Sequence, residues 1–139
     1  MLRWVLLVLV LLVAAGMGWQ ASGNLRQRRD STRGLVEQKA SIINETMRMY
    51  VTDFHAFPPT SDAEGTRELL TPYIPIGVRD WLFSSPPAFS ELAPEFRFAP
   101  GLPARQVRDP RGFETARFRH RHAGVLATYI DGHTAWIED

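Results

Sequence analysis

From Trp4 to Trp19 the chain reads WVLLVLVLLVAAGMGW, sixteen positions with no charge and no amide. No other stretch restricts the folding of this sequence as severely. Gln20, Ala21, Ser22 and Gly23 extend it to twenty uncharged residues. At about 1.5 Å of rise per residue, twenty helical residues reach across a hydrocarbon core of about 30 Å. The Leu/Val run is too uniform for an amphipathic core helix. Trp4 and Trp19 stand near its two ends, where indole rings favour the headgroup level. Residues 1–23 are therefore read as a transmembrane anchor, with membrane contact through residues 4–23. A signal peptide is the alternative: Arg3 would form a short basic region, and Ala14, Gly16 and Gly18 are small enough for a cleavage site.

Charge is distributed unevenly around this run. Residues 1–33 hold five Arg and one Asp, whereas residues 34–139 hold eleven basic and fourteen acidic residues. The formal total is only +1, too balanced for a dedicated nucleic-acid binder. Lys39 is the one lysine among sixteen basic residues. Cysteine is absent, which excludes a disulfide scaffold, a thiolate zinc site, an iron–sulfur cluster and a lipoprotein anchor. With 45% hydrophobic and 22% charged residues, the composition is that of a globular domain rather than a disordered chain.

After a polar stretch (24–34, NLRQRRDSTRG), apolar residues recur at Val36, Ala40, Ile43, Met47, Tyr50 and Phe54. Spacings of 4, 3, 4, 3 and 4 place all six on one helical face. Glu37, Gln38, Ser41, Asn44, Glu45, Arg48 and Thr52 are assigned to the opposite face. The helix is expected to bury its stripe against a sheet and to end at Pro58-Pro59, because proline cannot continue a helix. Ser61-Asp62-Ala63-Glu64 matches a capping box opening a short helix through Leu69-Leu70. Seven prolines between Pro72 and Pro103 then predict a packed irregular region with one strand at 95–99. Residues 113–121 and 124–130 carry β-formers. Asp131-Gly132, between Tyr129-Ile130 and 133–137, signals a hairpin with a type I′ turn. The fold class is α+β: a long N-terminal helix packed on a small C-terminal antiparallel sheet, with residues 24–139 as its domain.

Two segments resemble type IV pilin-like proteins, especially the pseudopilins of type II secretion. MRMYVTDFHAFPPT (47–60) is similar to the end of the long pseudopilin helix, where a Tyr, an Asp and an aromatic-Pro step lead into the following loop. RHRHAGVLATYIDGHTAWIE (119–138) is similar to the C-terminal segment of many pilin-like proteins: a His, about nine residues, then Asp-Gly-His and an apolar strand. Here eight residues separate His122 from Asp131, and ten separate His120 from it. The resemblance covers most of residues 36–139. It implies a pilin-like α+β fold and a non-catalytic structural subunit or accessory of a secretion or pilus-type assembly. It further implies an exported domain on a single-pass anchor in a bacterial inner membrane. The partners implied are other pilin-like or secretion-system subunits and further copies of the chain. The positive-inside rule, applied to Arg26, Arg28, Arg29 and Arg33, points the other way. The prepilin cleavage signal Gly-Phe-Thr-Leu-Ile-Glu is missing, with Arg3 and Trp4 in its place.

Few residues suggest chemistry. His120, His122, Asp131 and His133 could converge across the last hairpin, and imidazole and carboxylate together suit zinc or another divalent metal. Turn residues of these types are more often half-exposed and bonded to backbone, so no metal or cofactor is expected and the quartet stands as the alternative. An exported metal-binding module is accordingly the runner-up function. Asp53 and His55, two apart on a helix, would face away from each other and make a poor acid–base pair. Arg105 to Arg121 holds six Arg with Phe113 and Phe118 interleaved, a pattern that can stack on bases. It is read instead as a solvated face or a docking surface for acidic partners, with no nucleic-acid partner.

Overall fold

A computed structural model describes the backbone of residues 2–138 and side chains from Leu25 to Glu138. The expected membrane segment, 4–23, thus lies outside the described side chains. Among the described residues, no helix is long and apolar enough to cross a membrane. The chain divides into two units, Met1–Ser31 and Thr32–Asp139. In the first, side chains 25–31 are all exposed.

The second unit begins with the C-terminal part of helix α1 (Leu2–Phe54). Val36, Ala40, Ile43, Met47 and Tyr50 are buried as their periodicity requires. Lys39, Asn44, Thr46 and Val51 are buried as well, so the covered arc is much broader than the apolar stripe. Asn44, assigned by its polarity to the solvent face, is only 3% exposed. Phe54 departs in the opposite sense. It lies on the stripe but is 60% exposed, its ring tilted against Tyr50 with centroids 4.5 Å apart. The helix stops there because His55 adopts a left-handed φ of 55°, three residues before the first proline. The extended segment that follows is tied down by Phe57 N donating to Leu102 O at 2.8 Å.

Helix α2 (Ala63–Leu70) starts one residue later than the Ser61 box would give. Asp62 is its N-cap, accepting from Gly65 N at 2.9 Å. A 3₁₀ turn (Thr71–Tyr73) follows. The proline-punctuated stretch, expected to be irregular, contains two further helices, α3 (Ile76–Phe83) and α4 (Phe89–Leu92). Pro75 sits at the N-cap of α3, where a missing N–H costs nothing. The Glu91 carboxylate accepts from Ala88 N at 2.6 Å and caps α4.

Strands β1 (Glu95–Phe96), β2 (Glu114–His120), β3 (Gly124–Tyr129) and β4 (Thr134–Ile137) form an antiparallel sheet in the order β1-β2-β3-β4. Strand β1 keeps only two of the five residues expected at 95–99. Phe96 pairs with Ala116, and Phe118 with Leu126. These four join Ile43 and Met47 of α1 in one core. Phe57, Phe98 and Phe113 close its far end, with ring centroids 5.0 and 5.2 Å apart. Burial of each such side chain contributes roughly 1.5–3 kcal/mol, so α1 is held by the sheet rather than by its own propensity.

Candidate functional site

The two connections at the ends of β3 carry three of the four histidines, so the site is built from them. The β2–β3 connection is Arg121-His122-Ala123, between the pair His120 and Gly124. Gly124 has a φ of 103°, which a side chain would strain. Ala123 is buried, and its carbonyl accepts from Arg33 Nε at 2.9 Å. The Arg33 guanidinium lies 4.6 Å from the centroid of the Trp136 ring. This connection is therefore seated firmly on the start of the packed helix, while Arg119, Arg121 and His122 stay exposed. The His120 and His122 rings are 5.8 Å apart. Burial, together with the neighbouring His122 and Arg121, pushes the His120 imidazole below its ordinary pKa; Glu91 opposes this only in part.

The β3–β4 connection has a different character. Gly132 N donates to Tyr129 O at 2.9 Å and Tyr129 N to His133 O at 3.0 Å, enclosing the three-residue loop 130–132. Only Gly132, with φ of 101°, is left-handed. A type I′ turn would need positive φ at Asp131 too, so the turn is not that type. Asp131 Oδ1 accepts from His133 N at 3.1 Å and contacts His133 Nδ1 at 2.5 Å. The His133 ring stacks on Tyr129 at 4.2 Å. Burial works against the Asp131 charge, but His133 and Arg111 outweigh it and hold the carboxyl below the usual carboxylate range.

Beneath this turn runs a buried polar chain. Asn44 Nδ2 donates to Tyr129 O at 2.8 Å, and Thr115 Oγ1 donates to Asn44 Oδ1 at 2.7 Å. Thr115 and Thr128 hydroxyls are 2.8 Å apart. Thr115 occupies an irregularity in β2 between Glu114 and Ala116, which directs it toward the helix. Elsewhere the buried Lys39 Nζ donates to Ser85 O at 2.6 Å, Pro87 O at 3.0 Å and Ser85 Oγ at 3.1 Å. It clamps α1 to the loop between α3 and α4. Burial lowers the Lys39 pKa, with Glu91 working in the other direction. Among the described residues no buried side-chain nitrogen or oxygen lacks a partner.

The histidine quartet does not assemble. His120 and His122 lie at one end of β3, Asp131 and His133 at the other, separated by roughly 17 Å of strand. His122 lies beyond β2 rather than on one strand face with His120. Among the described residues, no three His, Asp or Glu side chains form a group that could hold a metal ion. Asp53 turns to Tyr73, whose hydroxyl donates to it at 2.8 Å and is thereby held above the usual phenol pKa. Phe118 is fully buried and Phe113 packs on Phe57, so neither ring is offered to a nucleic-acid base. Sequence reasoning missed Lys39, Asn44, Thr115 and Thr128. For Lys39 and Asn44 the spacing relative to the stripe was a usable signal, since Lys39 adjoins Ala40 and Asn44 lies four residues beyond it.

By architecture the second unit is an α+β domain with a helix laid across a four-stranded antiparallel meander. No family model, curated protein or solved structure matches the chain.

Proposed function

We propose that the chain is a membrane-anchored, pilin-like structural subunit or accessory of a type II secretion or type IV pilus-type assembly, with no catalytic role. The observation that carries this reading is the burial of Val36, Ala40, Ile43, Met47 and Tyr50 under an antiparallel meander. The apolar stretch Trp4–Trp19, read from the sequence as an anchor, precedes the part of the helix committed to the domain. In this reading the apolar stretch enters the bacterial inner membrane and the sheet domain is exported. Ala14, Ala15, Gly16 and Gly18 are small enough to let neighbouring helices approach closely in lipid.

Fractionation of cells expressing the full chain, and a second chain lacking residues 1–23, tests the proposal. The full chain is expected in the membrane fraction and the truncated chain outside it. Sequencing the N-terminus of the membrane-bound form then separates a retained anchor from a processed one. Recovery of the full chain wholly in the soluble fraction would overturn the reading.

A further inference from the structure

We infer that the β2–β3 tip is a binding site for a phosphate-type oxyanion, held by Arg119, His120, Arg121 and His122. Four consecutive cationic or cationisable side chains line a recess of about 410 Å³, with Glu91 as the one acidic group on its wall. Glu91 is already committed, because its carboxylate caps α4 through Ala88 N. The recess therefore holds a net charge of one with both imidazoles neutral and three with both protonated.

Several arginines of the domain are engaged internally. Arg48, Arg67, Arg97 and Arg117 each contact a glutamate, and Arg33 is shared between Ala123 O, Trp136 and Glu138. Arg119 and Arg121, like Arg79, Arg105, Arg108 and Arg111, are not in an ion pair among the described residues. Placing like charges side by side without counter-charge is unfavourable, and an anion between them reverses the sign of every interaction. Guanidinium groups suit phosphate because their fixed N–H fork matches its oxygens. His120 Nδ1 accepts from His122 N at 3.3 Å, so its neutral ring carries the proton on Nε2 and offers a donor there. Arg33, packed under the tip, is itself paired with Glu138 at 3.8 Å, and Glu91 on α4 is the acidic group lining the recess. Protonation of His120 places one more positive charge beside the anion and tightens the grip on an anion of fixed charge, such as a phosphodiester.

The phosphate group can belong to a lipid headgroup or to a soluble molecule, and the two are separable. The full chain in zwitterionic detergent micelles is titrated by NMR at its histidine rings, with and without inorganic phosphate. A second arm replaces phosphate by phosphatidylcholine vesicles with or without phosphatidylglycerol. The bound anion is expected to raise the His120 titration midpoint by about one pH unit, which corresponds to an anion of fixed charge held about tenfold tighter by the protonated ring than by the neutral one. The signal of His133, at the far end of β3, should not respond. The double variant R119Q/R121Q, folded by the criterion of unchanged core signals, should lose the response. A response to phosphate alone identifies a soluble ligand, and one to phosphatidylglycerol alone a headgroup. Silence of His120 toward both probes, an equal response at His133, or full retention of the response in the double variant would each overturn the site.

Discussion

The two ends of β3 solve the same problem in opposite ways. Each must reverse the chain beside histidines and charged residues. At the 130–132 end, Asp131 bonds His133, Tyr129 stacks on it, and Asn44 reaches up from α1 to hold the Tyr129 carbonyl. The Asp131 carboxylate, the His133 ring and the Tyr129 carbonyl there each have an internal partner. At the 121–123 end the backbone is fastened through Arg33 and Ala123, while the side chains of Arg119 and Arg121 are exposed and, among the described residues, in no ion pair. The comparison teaches that matching residue types flanking a strand do not imply a shared role. One end is a closed structural joint, and the other has charge left over for an outside ligand.

The largest effect that would sharpen this contrast is expected beneath the closed joint. Asn44→Ala removes the donor to Tyr129 O and the acceptor of Thr115, and should lower unfolding free energy by about 2–3 kcal/mol. Urea melts of wild type and variant would measure it, and a loss under half a kilocalorie would refute the joint as described. Gly132→Ala should cost about 1–2 kcal/mol, since the residue has a φ of 101° and a new Cβ would lie 3.0 Å from the Arg48 guanidinium. Thermal melting suffices to check this.

The two ends give pH signatures of the same sign in separate windows. The folded-state pKa of His120 is lowered, so the unfolded chain binds the proton more readily, and stability falls as pH drops through about 6.5. His120→Gln should flatten that slope. Asp131 also has a lowered pKa, so its contribution is full above about pH 4 and is lost as pH falls through the depressed value. Asp131→Asn should flatten only this acid limb. Stability curves in which either variant alters the other's window would break the separation between the two ends. The smallest effect belongs to R119Q/R121Q without ligand: a gain of a few tenths of a kcal/mol at low ionic strength, vanishing in salt. A loss of stability instead would mean that these arginines support the fold.

The helix face was legible because burial of Val36, Ala40, Ile43, Met47 and Tyr50 follows directly from a 3.6-residue period. Phe54 shares the period and still emerges, since burial also needs something beyond the helix end to cover it. Lys39 and Asn44 were hidden by their polarity. Nothing local announces that Ser85, Pro87 and Thr115, far along the chain, will supply their partners. Prolines concealed α3 and α4 for a related reason. Pro75 ends one conformation and opens the next, and a proline at a helix entry reads like a proline in a loop. The Asp-Gly signal placed the hairpin correctly, but the loop took one residue more than the tightest turn, which changed its type. The histidine pattern suggested one site because sequence proximity says little about which end of a strand a residue reaches.

Lys39 has a practical consequence. The only side-chain amine in the sequence is sealed by three oxygens and the face of Trp81, 5.0 Å away. Acylating reagents and aldehyde fixatives that seek primary amines will find this residue only after the helix parts from the 84–88 loop. Modification at Lys39 thus becomes a clock for domain opening, one that runs in intact cells without any engineered label.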